Sequence, residues 1–413
     1  MGLEKQAIPF YSDHFVIIKL SWGSVSAKRI QEILMKVLFI LGLMVWSSVA
    51  LAFQIDSTYK AKPSPKFVKY LDLSVEGGPM LGNGTDFGEQ LRNSSSYLGV
   101  DARLGFRRGA ESLYSRVYRY PTFGVGFYAS TFHNADVGEP NAIYFFLHIP
   151  FAYSPQSRVK FSYFASYGLS YNFNPFDPED NPLNLFIGSY RNVYAHLGFR
   201  AAYTISPKTA ITSTFGFKHF SNGASSLPNS GINLFPLSIG VTTMLNDHDK
   251  DFSDRSIPKH TRRDVLHIHV APGVKEYFVG DVKHFKLGSG IHYLREFSYK
   301  HRAGLGLEHF YSANASERAD DPSQSDFLRY NSFAVFGSWE WLLTENLYAP
   351  MGVGAYLHRN DFNGEWNWFY QRVGLRYRFA NNIFAGLSIK AHKGRADFFE
   401  WTLGYSIFQK GQR

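Results

Sequence analysis

The residues best placed to do chemistry lie in one short stretch, Phe217-Lys218-His219-Phe220-Ser221-Asn222-Gly223, followed by Leu227-Pro228-Asn229-Ser230-Gly231-Ile232-Asn233. A His and a Ser two residues apart on an extended strand have Cα atoms about 6.5–7 Å apart, within side-chain reach if the chain bends at Ser221. Such a pair can run acyl transfer. Ser221 attacks a carbonyl, His219 takes its proton, and Asn222 or Asn229 with backbone N–H groups around Gly223 hold the oxyanion. Counting in twos from Ile211 through Ser213, Phe215 and Phe217 reaches His219 and then Ser221, so the pair shares the apolar face of its strand. On the returning segment Asn233 is in step with Phe235, Leu237, Ile239 and Val241, which places it beside His219. Spacing alone favours a plainer role, an interfacial His and Ser at the end of a strand.

The elements that must position these residues read as strands. After residue 66 the chain alternates apolar and polar residues in segments separated by Gly, Asn, Asp, Pro and Ser clusters. In 190–204, Val193, Ala195, Leu197, Phe199, Ala201 and Tyr203 fall on one face, while Asn192, Tyr194, His196, Gly198 and Arg200 fall on the other. Segments 158–172, 208–220, 327–343 and 366–379 are long enough to cross a bilayer at a tilt, with Tyr, Phe or Trp near their ends as interfacial girdles require. Connections such as 206–208, 343–346 and 380–382 are short, whereas 81–94, 132–141, 173–189, 221–231 and 313–326 are long and polar. That alternation suits the turns and external loops of a membrane barrel, and residues 108–121 and the short turn near Gly280-Asp281 break it.

Composition agrees. Aromatic residues are 17% of the 413, charged residues only 19%, and the mean hydropathy is −0.21, so apolar side chains are interspersed rather than pooled. Cysteine is absent, which excludes disulfides, thiol nucleophiles and cysteine metal sites. The formal charge of +9 permits an anionic partner, but no basic run or nucleic-acid motif accompanies it, so lipid is expected and nucleic acid is not. Lys36, the apolar run Val37–Ala50 and the triplet Ala50-Leu51-Ala52 read as a signal peptide cleaved before Phe53, with translation starting at Met35 and residues 1–34 an upstream extension. The expected organisation is therefore 1–52 extension and signal peptide, 66–244 first barrel or half-barrel, 245–263 polar linker, and 264–409 second half. A Gly-apolar-Arg triplet recurs at Gly105-Phe106-Arg107, Gly198-Phe199-Arg200 and Gly374-Leu375-Arg376, which suggests duplication. The expected fold is an all-β transmembrane antiparallel barrel in the outer membrane of a Gram-negative bacterium. One barrel of about 14–16 strands built from two similar halves is favoured, with two tandem barrels of about eight strands as the alternative.

The run His219-Phe220-Ser221-Asn222-Gly223, with Pro228-Asn229 and Gly231-Ile232 after it, resembles the outer-membrane lipid A deacylases, or acyloxyacyl hydrolases, over about residues 66–245. The resemblance implies a small membrane barrel that releases an ester-linked fatty acyl chain from lipid A, with lipopolysaccharide as substrate. It implies His219 as base and Ser221 as nucleophile on the outer barrel surface, with no cofactor. One position departs from that family: its third catalytic residue is a Glu on the returning strand, and the matching residue here is Asn233. A neutral amide can orient the imidazole through its oxygen but cannot neutralise the imidazolium that forms. The rival expectation is a non-catalytic pore or scaffold with a degenerate site.

The remaining polar clusters point elsewhere. His392 and Glu400 in the last hairpin fall on the lumen-facing register and are expected to form an internal polar pair. His267 and His269 share a strand face, but neither they nor His284 come with an evident third ligand, so no metal site is expected. Asp247, Asp249, Asp251 and Asp254 lack the ordered Gly and Glu of a calcium loop and read as a solvated linker.

Overall fold

The period-two alternation becomes two rings of antiparallel strands in the computed structural model, which describes residues 67–152, 156–247, 252–313 and 326–409. The signal-peptide segment lies outside the described residues, as do Asp249 and Asp251. The first ring comprises β1 (Val68–Gly77), β2 (Leu98–Arg107), β3 (Thr122–Thr131), β4 (Gly138–Pro150), β5 (Val159–Phe173), β6 (Asn192–Thr204), β7 (Thr209–Ser221), β8 (Ile232–Leu234) and β9 (Leu237–Met244). The second comprises β10 (Arg263–Lys275), β11 (His284–Glu296), β12 (His301–Ser312), β13 (Asn331–Leu342), β14 (Leu347–His358), β15 (Phe369–Arg378), β16 (Ile383–His392) and β17 (Arg395–Phe408).

Closure decides between the two arrangements weighed from sequence. β9 pairs with β7 on one side and with β1 on the other, through partners such as Ile211↔Val241 and Leu73↔Val241. β8 pairs with β7 beyond the Phe235-Pro236 interruption, so β8 and β9 make one broken stave and the ring has eight. β17 likewise returns to β10 and closes the second ring of eight strands. The favoured single large barrel is thus corrected to two tandem eight-stranded barrels. Once β9 has met β1, the first sheet has no free edge left to offer β10.

Short turns lie mainly at one end of each barrel and long loops at the other, with the two-residue turn between β16 and β17 an exception at the long-loop end. Residues 108–121, at the short-turn end, depart from this with good reason. They carry the helix Leu113–Val117 and dock on the second barrel: Tyr118 donates its hydroxyl hydrogen to Leu342 O at 2.5 Å, and its ring meets Trp341 edge-on. The linker is tethered here rather than merely solvated, because Arg116 Nη1 lies 2.8 Å from Asp254 Oδ2. Hydrogen bonds from Ser256, with this guanidinium, hold the Asp254 carboxyl below the usual carboxylate range.

Each wall has two faces of opposite character. Outward residues are large and apolar, with Phe145 at 71%, Ile239 at 63%, Leu305 at 65% and Trp401 at 66% exposed. Continuous surfaces of this kind cannot stand in water and meet hydrocarbon instead. Among the described residues no helix is long and apolar enough to cross a membrane, so the crossing is made by strands.

The lumens are packed with paired charges. In the first, Lys218 is ion-paired with Glu76, sits 3.7 Å from the Tyr128 ring centroid, and has Asp101–Arg103 at 2.9 Å beside it. In the second, Arg372 bridges Glu308 and Glu400, and Arg302 pairs with Glu340. Eight-stranded walls are narrow enough for side chains to fill much of the interior, and a cavity of about 340 Å³ lined by residues such as Asp72, His148 and Arg200 remains in the first barrel. A buried pair is costly to break because the survivor is left charged and alone. Lys218→Met should therefore lower barrel stability by about 3–5 kcal/mol. Urea unfolding in detergent, followed by the heat-modifiable shift on gels, would measure this; an unchanged midpoint would show that the pair contributes nothing.

Candidate functional site

Strand β7 carries His219 and Ser221 to the long-loop end of the first barrel. Lys218 and Phe220 are both 0% exposed and point into the lumen, so His219 points outward. β8 brings Asn233 directly opposite His219 in the ladder. Asn233 Oδ1 lies 2.6 Å from His219 Nδ1, and Asn233 Nδ2 reaches back to Gly231 O at 3.5 Å. An acceptor at Nδ1 assigns the proton to that nitrogen and leaves the lone pair on Nε2, the tautomer a general base needs. The amide and imidazole also satisfy one another on a face that meets lipid, which removes much of the cost of placing them there. The Phe217 ring stacks on His219 at 6.2 Å and 15°.

Gly231 fixes how closely the loop approaches the ring. Its φ is +77°, and a Cβ there would stand 2.6 Å from His219 Cε1. Any other residue would displace the imidazole or strain the backbone.

Ser221 is 7% exposed and its Oγ is held by two donors. Asn229 Nδ2 is 3.0 Å away and the Gly223 N–H donates at 3.2 Å. Asn229 Oδ1 in turn accepts from the Asn222 backbone N–H at 3.1 Å. Among the described hydrogen bonds none joins His219 to Ser221; each is instead fastened to its own Asn. The donors grouped round Oγ are those an oxyanion at an attacked carbonyl would use. Asn222 serves differently from the other two supporting residues. Its side-chain amide donates to Ser189 Oγ at 3.0 Å and Ser226 O at 2.9 Å, bracing the loop instead of facing the nucleophile.

Sequence reasoning gave Gly231 no role beyond its place in the motif, and overlooked Ser189 and Glu276. The role of Gly231 could have been found, since a glycine two residues before Asn233 on a returning strand signals close approach. Ser189 lies 33 residues from Asn222, and Glu276 Oε2 accepts the Leu227 N–H at 2.8 Å from 49 residues away on the second barrel. No local pattern encodes such contacts.

The second barrel repeats the plan but turns the histidine of its seventh strand inward, while an outward pair, Ser289 Oγ and His309 Nδ1 at 3.1 Å, lies on its second and third strands with Asn331 Oδ1 2.6 Å from His309 Nε2. Gly198-Phe199-Arg200 lies on the sixth strand of the first ring and Gly374-Leu375-Arg376 on the sixth of the second; His219 and His392 each lie on the seventh. His392 and Glu400, however, are both 0% exposed in the lumen. They do not form the expected pair: His392 Nε2 meets Tyr356 Oη at 3.1 Å, while Glu400 takes Arg372 at 2.6 and 2.8 Å. The strands also bring His269, His292 and Glu308 together, with ligand atoms within 4.8 Å of one another, a convergence that spacing along the chain did not reveal. Glu308 already accepts from His292, Tyr370 and Arg372, and that cationic company competes with a metal ion.

Comparison with known proteins follows the same division. Residues 99–242 match the family described as lipid A 3-O-deacylase (PagL), and residues 265–410 match the C-terminal domain of acyloxyacyl hydrolase. No curated protein matches the chain in sequence. Among solved structures, the toluene transporter TodX of Pseudomonas putida is 9% identical over 84% of this chain and 89% of that chain, with a TM-score of 0.17. The siderophore receptor PirA of Acinetobacter baumannii is 11% identical over 84% of this chain and 62% of that chain, with a TM-score of 0.23. Scores this low carry no weight for function.

Proposed function

Because this outer-membrane chain belongs to the lipid A 3-O-deacylase family through its first barrel, we propose that it hydrolyses an ester-linked acyl chain of lipid A with Ser221 as nucleophile and His219 as general base. The observation that supports the reading is His219 on the lipid face, oriented by Asn233 at 2.6 Å, two residues before a serine whose oxygen two donors surround.

The reaction would run in two halves. Ser221 Oγ attacks the ester carbonyl and passes its proton to His219 Nε2, while the Gly223 N–H and Asn229 Nδ2 take up the oxyanion. Collapse expels the sugar oxygen, which recovers the proton from His219, and leaves an acyl chain on Ser221. Water, deprotonated by His219, then attacks that acyl group; the Oγ–C bond breaks, Ser221 Oγ recovers the proton from His219, and the fatty acid is freed. Asn233 holds the imidazole in register throughout but supplies no negative charge to the imidazolium.

Mass spectrometry of lipid A from cells with and without the protein tests the reading. Expression should remove one ester-linked acyl mass and release the corresponding free fatty acid. An unchanged lipid A under strong expression would overturn it, and would favour a scaffold in which the site has lost its acid at position 233.

A further inference from the structure

The loop that follows Ser221 rests on the second barrel and does not stand free in the membrane interface. Leu227 N–H is held by Glu276 Oε2 at 2.8 Å, and Glu276 N–H donates to Ala224 O at 3.3 Å. Gly223, with φ +63°, lies against the outer wall of the second barrel: a Cβ there would overlap the Phe399 ring and stand 3.0 Å from Ile389 Cδ1. Ile389 and Phe399 are cross-strand partners on β16 and β17, facing outward between the lumen residues Lys390, Phe398 and Glu400. The donor network around the nucleophile is therefore built against a surface that the second barrel supplies.

Beside this contact lies a cavity of about 230 Å³, whose lining includes Asn229 from the loop and Lys275, Glu276, Asp361, Trp366 and Arg395 from the second barrel. Its direction from the nucleophile is informative. Phe217, Phe215 and Leu237 run from the site along the lipid face and are 37%, 53% and 56% exposed, an apolar track that an acyl chain could follow. The group on the other side of the ester must then lie on the loop side, where the cavity is. Its wall carries two carboxylates, two cations and one indole, Trp366, which is 46% exposed; Lys275 is ion-paired with Asp397 and Asp361 with Arg359, so Glu276 and Arg395 are the charges turned most directly to a ligand. A sugar ring matches that set, since each hydroxyl both donates and accepts and the C–H face of the ring packs on an aromatic plane.

Resting on the proposed deacylation, we propose that this seam cavity is the subsite for the sugar ring that carries the scissile ester, with Trp366 and Arg395 of the second barrel as its recognition residues. Through this seam the second barrel, which also carries an outward Ser289–His309 pair 3.1 Å apart, supplies the specificity side of the Ser221 site. Asn229 joins the two functions, because it lines the cavity and donates to Ser221 Oγ at 3.0 Å.

The test compares two esters on the full chain in detergent micelles: lipid A, and p-nitrophenyl dodecanoate, which has an acyl chain but no sugar. In Trp366→Ala and Arg395→Ala the ratio of kcat/KM for lipid A to that for the small ester should fall about tenfold. A ratio that does not change overturns the subsite, whether both rates drop together or neither does. Failure of the reaction is separated by a binding arm with the Ser221→Ala chain, titrated with lipid A. If the wild type cleaves neither ester, but lipid A binding still weakens on Trp366→Ala or Arg395→Ala, the subsite stands and the hydrolysis falls. Binding that neither substitution affects removes both.

Discussion

Replacing Ser221 with alanine is expected to slow release of fatty acid from lipid A by roughly 10³–10⁶-fold, the range seen when a nucleophile is removed from a coupled triad. The loop should survive the change, because Asn229 keeps its bond from the Asn222 N–H and Asn222 keeps Ser189 and Ser226. Retained heat-modifiable migration would establish that the barrel is still folded. His219→Ala should cost a comparable factor, and the double variant should be hardly slower than either single one, because nucleophile and base work as a unit. Two losses that multiply would mean that the residues act independently, and a Ser221→Ala chain with wild-type turnover would end the case for a serine nucleophile.

Asn233→Asp is expected to raise kcat by about 10–100-fold, a transition-state gain of roughly 1.4–2.7 kcal/mol. The substitution is isosteric, so the oxygen 2.6 Å from His219 Nδ1 keeps its place while acquiring charge. That charge is useful only when the imidazole has accepted the serine proton, and a contact that strengthens in the transition state appears in kcat more than in KM. Asn233→Leu removes both orientation and acceptor, and should fall below wild type by about 10²-fold. Steady-state rates of all three folded proteins on one lipid A preparation decide the matter. If Asp is no faster than Asn, the neutral amide is not what limits this enzyme. Glu at this position, one methylene longer, must shift β8 or the imidazole to fit, so Asp is the cleaner probe.

The two barrels also bear on why a second ring is retained in the chain. Its interior is committed to ion pairs such as Arg372–Glu400 and Lys390–Asp397, the latter at 3.3 Å. What it presents to the first barrel is a surface: Phe399 and Ile389 against Gly223, and Glu276 beneath Leu227. Removing it would leave the loop that carries Asn229 exposed to lipid on that side.

Parity along each strand was determined by the sequence alone, because successive side chains of an extended chain must point to opposite faces. That rule placed His219 and Asn233 on the lipid side and His392 and Glu400 in the lumen without any knowledge of the fold. Closure belonged to tertiary structure: whether β9 meets β1 or a strand of the second half is settled by hydrogen bonds between residues such as Leu73 and Val241, which no local period records. The same holds for the site's finer geometry. Ser221 is fastened to Asn229, Glu276 reaches the loop from another barrel, and His269, His292 and Glu308 converge from three strands, all because a closed wall brings together residues that the chain keeps apart.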